Sequence, residues 1–117
     1  MKILVAIEDD YRAYQEIIAE AILSLRPRLE VRPAREEDLE EELASFNPDL
    51  VICGCSNAGY SKGRAAWVVL STAVDQLMGI CLGGQQRKSK APVLIELLSI
   101  IDETEERLRE NPFLNGC

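Results

Sequence analysis

The chain has 117 residues, 47% of them hydrophobic, with 20 acids against 13 bases and no histidine, for a net charge of −7. That length and apolar content fit one domain with a real core. The acidic balance excludes broad nucleic-acid or anionic-membrane binding, which need a basic face. The longest mostly apolar stretch, residues 67–82, is interrupted by Ser71, Thr72, Asp75, Gln76 and Gly79 and makes a poor membrane span. Only Lys2 precedes the first apolar run and acids follow it at once, which is not the pattern of a signal peptide. A cytoplasmic protein is expected, with its four cysteines as reduced thiols. Cys53, Cys55, Cys81 and Cys117 make no CxxC pair, and without histidine they do not compose a zinc site.

Residues 2–7 form a continuous β-branched apolar run, the pattern of a strand buried on both faces. Asp9 or Asp10 can cap the helix that follows. In that helix Tyr14, Ile17, Ile18, Ala21, Ile22 and Leu25 recur at helical spacing, with Arg12, Gln15, Glu16 and Glu20 opposite, and Pro27 stops it. Residues 29–32 alternate as a short edge-like strand closed by Pro33. Residues 36–46 predict an acidic helix with Leu39, Leu43 and Phe46 inward, ended by Asn47-Pro48. Leu50, Val51, Ile52 and Cys53 are a second buried strand. The order β-α-β-α-β with right-handed crossovers predicts a parallel sheet covered by helices on both faces.

Residues 54–63 are a polar, glycine-bearing loop. Residues 66–71 and 79–83 both read as strands, and only residues 72–78 join them, short of the dozen or so that a parallel crossover needs. They therefore predict an antiparallel hairpin, favoured over one helix across residues 64–78 because Trp-Val-Val-Leu is rich in strand formers. Residues 85–90 are a polar, basic connector. Pro92 suits the first turn of a last helix with Leu94, Leu97, Leu98, Ile101 and Leu108 as its stripe, and Asn111-Pro112 ends it. A single domain over residues 1–112 and a loosely held tail over residues 113–117 complete the reading.

The acidic cluster Glu8-Asp9-Asp10 after the first strand, and the strand at residues 50–53, resemble the first half of a response-regulator receiver domain. The resemblance covers mainly residues 1–54. It implies a three-layer α/β/α, flavodoxin-like architecture, with three parallel strands first and then the hairpin and a helix. In receivers the pair matched by Glu8 and Asp9 helps to hold magnesium. Ser71 or Thr72 could match the hydroxyl residue that follows the fourth strand. Two family features lack a counterpart: Gly54 stands where the phosphoryl-accepting aspartate would be, and Gly83-Gly84 stand in place of the lysine and proline after the fifth strand. Glycine has no nucleophile to offer. The resemblance thus implies a degenerate, pseudo-receiver domain with no enzymatic activity, no resident cofactor and at most weak magnesium binding at Glu8 and Asp9. Helix capping by Asp9 or Asp10 with a solvated Glu8 is the competing account of those acids.

Ser56, Asn57, Ser61, Lys62 and Arg64 are the second candidate group. Backbone amides and these side chains could hold an anion or a partner, although the loop matches no phosphate-loop or cysteine-phosphatase signature, and an ordinary surface loop collects the same residues. Trp67 is a core residue by default and an interface anchor if exposed. The hairpin leaves an open sheet edge, so a protein partner or a homodimer is expected there. The function expected is a non-catalytic signalling and interaction module; the alternative is a metal- or anion-binding domain using the acidic cluster and residues 54–64.

Overall fold

The computed structural model describes residues 1–7, 12–54, 63–70, 78–90 and 92–116. Six strands and three α-helices follow in the order β1 (Lys2–Ile7), α1 (Arg12–Leu25), β2 (Glu30–Arg35), α2 (Leu39–Phe46), β3 (Leu50–Cys53), β4 (Ala66–Val69), β5 (Met78–Leu82), β6 (Gln85–Ser89) and α3 (Val93–Glu110). A 3-10 turn, Glu36–Asp38, leads into α2.

The strands form one mixed sheet in the order β2-β1-β3-β4-β5-β6. β1 pairs in parallel with β2 and with β3, and β3 in parallel with β4. β4–β5 and β5–β6 are antiparallel. The expected hairpin is therefore present, with Trp67 opposite Cys81 and Val68 opposite Ile80.

Alternation along the strands sends side chains to two cores. Ile3, Val5, Ile7, Leu50, Ile52, Val68 and Ile80 share one with Ile18 and Ile22 of α1 and Leu97, Ile100 and Ile101 of α3. Leu4, Ala6, Val51, Cys53 and Trp67 share the other with Leu39, Leu43 and Phe46 of α2. The uninterrupted apolar run of β1 follows from this: its residues are buried alternately against different helices.

Several expectations shift. β2 runs on through Pro33 to Arg35, with Pro33 opposite Val5. Proline is tolerated there because β2 is the sheet's edge and needs no outward donor. The residues read as a polar connector include β6, the other edge, which is entered by a two-residue turn with Gly83 at φ 58 and Gly84 at φ 90. Two positive φ values in succession are the turn that matches strand twist, and glycine adopts them without strain.

The helices are turned relative to their apolar stripes. In α1 the buried set is Gln15, Ile18, Ala19 and Ile22, while Ile17 and Leu25 are exposed, and Tyr14's side chain lies outside the described residues. In α3 Thr104 replaces Leu94 in the buried stripe and donates its hydroxyl to Ile100 O at 2.6 Å. Two charged crossings tie α3 to the chain segment after α1. Arg26 holds Asp102 through paired contacts of 2.9 and 2.7 Å, and Arg28 reaches Glu105 at 2.8 Å.

Candidate functional site

In a sheet of this kind a site is sought at the carboxyl ends of the parallel strands. The described residues at that edge are Ile7 and Arg35, which end β1 and β2, and Gly54 and Leu70, which follow β3 and β4. A side chain that the hydrophobic pattern assigned to solvent organises this edge. Gln15, the first residue of α1's buried set, is 7% exposed. Its Oε1 accepts from Ile7 N–H at 3.0 Å, and its Nε2 donates to Ala34 O at 2.9 Å. One amide thus closes the ends of two neighbouring strands onto a helix. Burying it costs little because both of its ends are paired.

Glu8 and Asp9 of the expected metal pair lie outside the described residues, as do Ser56, Asn57, Ser61, Lys62, Ser71 and Thr72. Among the described residues there is no group of three or more His, Cys, Asp or Glu that could hold a metal ion.

Arg64 is the one residue of the anion or partner group that falls among the described residues. It precedes β4, at the amino ends of the parallel strands. Its guanidinium is spent on α2. Nη1 donates to Asn47 Oδ1 at 2.6 Å and to Pro48 O at 3.1 Å, and Nη2 donates to Leu43 O at 3.1 Å. The last turn of a helix leaves carbonyls without partners. Here a cation from a distant loop meets one of them and favours the negative end of the helix. Asn47 ends the helix at φ 52, a conformation asparagine tolerates. Sequence reasoning missed this because residues 43 and 64 meet only through the β3–β4 crossover.

Trp67 is 3% exposed and so is a core residue, not a surface anchor. Its indole Nε1–H donates to Cys53 Sγ at 3.2 Å. Cys53 is wholly buried, in keeping with a packing role. Cys81 departs from the expectation of reduced thiols: it is disulfide-bonded. Its partner lies outside the described residues. Spacing in the sequence offered no sign of this bond, since neither Cys55 nor Cys117 stands at a motif distance from Cys81.

The edge expected to be open is also relocated. β5 is flanked by β4 and β6, and the sheet ends at β6. All but one of its residues are exposed. Arg87 pairs with Glu103 of α3 at 3.0 Å. No helix among the described residues is long and apolar enough to cross a membrane.

Compared with known proteins, the chain matches no family model, no curated protein and no solved structure.

Proposed function

We propose that this chain is a non-catalytic, receiver-like module of flavodoxin-like topology, which signals by binding a protein partner along β6. The observation that carries the proposal is that β6 ends the sheet among the described residues and is a basic strand (Gln85-Gln86-Arg87-Lys88-Ser89) on a chain of net charge −7. The strand order supports the topology: β2-β1-β3-β4 in parallel, with helices contributing to the cores on both faces. The glycine at position 54 supports the absence of phosphoryl transfer, because a carboxylate is the nucleophile in that step.

The ladder says which groups meet the partner. Gln85 is opposite Leu82 across the two-residue turn, and antiparallel pairs alternate between bonded and non-bonded. Gln86 and Lys88 therefore turn their backbone N–H and C=O outward. An added strand would bond to these two residues, and acidic side chains on it would face Lys88 and Lys90. The same lysines disfavour indiscriminate edge pairing.

The test is amide hydrogen exchange at Gln86 and Lys88, with and without an extended probe peptide of alternating Glu and Val. Saturable slowing at both amides, abolished by Lys88→Pro, is the expected result. Proline at this outward position removes the donor and leaves the β5–β6 ladder intact. Slowing that rises with protein concentration alone would assign the edge to a second copy of the chain. No slowing in either case would overturn the reading. In parallel, incubation with a small acyl phosphate should leave the protein's mass unchanged.

A further inference from the structure

α1 and α3 descend side by side over one face of the sheet. Both enter the core that holds Ile3, Val5 and Ile52. β6 runs the same way as β1, because β1, β3 and β4 are parallel and two antiparallel pairs follow. α1 follows β1 and α3 follows β6, so both helices start at one edge of the sheet and point to the other. The ion pair Arg26–Asp102 links them toward that far edge.

On α3, Asp102 turns to Arg26, while the next residue, Glu103, pairs with Arg87 of β6 on the opposite side. Leu98 and Leu94 precede Asp102 by one and two helical turns and share its side. On α1, Gln15 reaches Ala34 of β2, and Ala19 and Leu23 continue that ridge at four-residue spacing. Ile17, Ala21 and Leu25 form the ridge on the other side, toward α3. Ile17 and Leu94 stand level, roughly 12–14 Å before the Arg26–Asp102 link at the helical rise per residue. Ile17 is 63% exposed, Ile95 65%, Leu25 48% and Leu94 37%, with Ala21 and Leu98 half-buried between the helices. The result is an apolar seam open to water. The ion pairs Arg26–Asp102 and Arg28–Glu105 close one end of it.

The charges beside the seam select what covers it. Glu20 on α1 and Asp102 and Glu106 on α3 face water. The neighbouring bases Arg26 and Arg28 are each paired with an acid, and Arg109 lies a turn beyond them. A second copy would bring the same acids against these, on a chain of net charge −7. Four apolar side chains also fall short of the roughly 800 Å² that each partner gives to a standard interface. We propose that the α1–α3 seam is a docking site for an amphipathic helix of a protein partner, with a short apolar stripe flanked by lysine or arginine. The stripe lies against Ile17, Leu94 and Ile95, as a third helix packs on two. Its cations meet Glu20 and Glu106, which sets orientation and speeds encounter. This surface is separate from β6, and the proposal does not rest on strand addition there.

The experiment titrates the full chain, methyl-labelled at Ile and Leu, with a helical probe peptide that carries leucines at helical spacing between lysines. Saturable shifts at the methyls of Ile17, Leu94 and Ile95 are expected. Ile17→Ser and Ile95→Ser should each weaken binding roughly tenfold, the size of a moderate hot spot. Both positions face water, so urea denaturation should show the fold intact. Leu23→Ser, on the other side of α1, should bind as the wild type does. A peptide of the same composition with its stripe scrambled should not bind. Equal binding of the scrambled peptide would reduce the effect to charge attraction and overturn the proposal. So would the absence of saturable shifts, equal loss in Leu23→Ser, or shifts at these methyls that grow with protein concentration alone, which would assign the seam to a second copy.

Discussion

Arg64 and Leu43, 21 positions apart in the chain, are joined by a hydrogen bond of 3.1 Å from Nη2 to the carbonyl oxygen. With the contacts to Asn47 and Pro48, that bond makes Arg64 a clamp on the end of α2. Arg64→Ala should therefore destabilise the fold by about 1–3 kcal/mol, the range for leaving partly buried polar groups without partners. Arg64→Lys should recover little, because one ammonium cannot span three acceptors set for a fork. Urea denaturation checks the stability. Faster amide exchange in α2 would distinguish loss of the clamp from general loosening.

Gln15 offers the matching test at the other end of the strands. Gln15→Leu keeps the volume near constant but leaves Ile7 N–H and Ala34 O unpaired. A loss of about 1–3 kcal/mol is expected. Gln15→Glu should be worse near neutral pH than in acid, since a carboxylate cannot donate to Ala34 O. Denaturation of the three proteins at both pH values decides it.

Trp67 fills the space between β4 and α2 in the second core. Trp67→Ala should cost about 3–5 kcal/mol, as large aromatic truncations in cores do. Trp67→Phe should cost less, losing chiefly the indole donor to Cys53. Neither should alter the concentration dependence of molecular mass, measured by light scattering, because the ring is buried within one chain.

The Arg26–Asp102 pair makes a pH prediction. The hydrogen bonds from Arg26 hold the Asp102 carboxyl below its ordinary value of 3.8, against a smaller opposing effect of burial. A carboxyl depressed on folding adds stability that is present above its unfolded value and is lost as pH falls through the folded one. The stability gap between the wild type and Asp102→Asn should thus be open at neutral pH, shrink as pH drops below the ordinary carboxylate range, and close beneath the depressed value. Both partners face solvent, so added salt should narrow the gap as well.

Sequence periodicity was most reliable where burial acts on every residue. β1 and β3 are unbroken apolar runs because both faces of the sheet are covered, and no polar residue competes for those positions. The antiparallel β4–β5 pair followed from the strand formers Trp-Val-Val-Leu together with a link, residues 72–78, too short for a parallel crossover. β6 escaped because all but its last residue face water, leaving no apolar signal. The Gly83-Gly84 dipeptide between two extended segments was its one available mark. α1 and α3 were found but rotated, because Gln15 and Thr104 take buried places by pairing with backbone groups that no pattern of hydrophobicity records. Of the candidate site only Arg64 falls among the described residues, and only the three-dimensional neighbourhood of β3 and β4 shows which carbonyls it serves.

The packing of α3 carries a consequence for how the chain is made. Leu97, Ile100 and Ile101 are wholly buried against the same core as Ile3, Val5 and Ile52. Until α3 arrives, that face of the first three strands is covered only in part, by Ile18 and Ile22 of α1. During synthesis from the amino terminus, part of that apolar face stays uncovered until α3 follows. A truncation before α3 should expose that apolar face to aggregation.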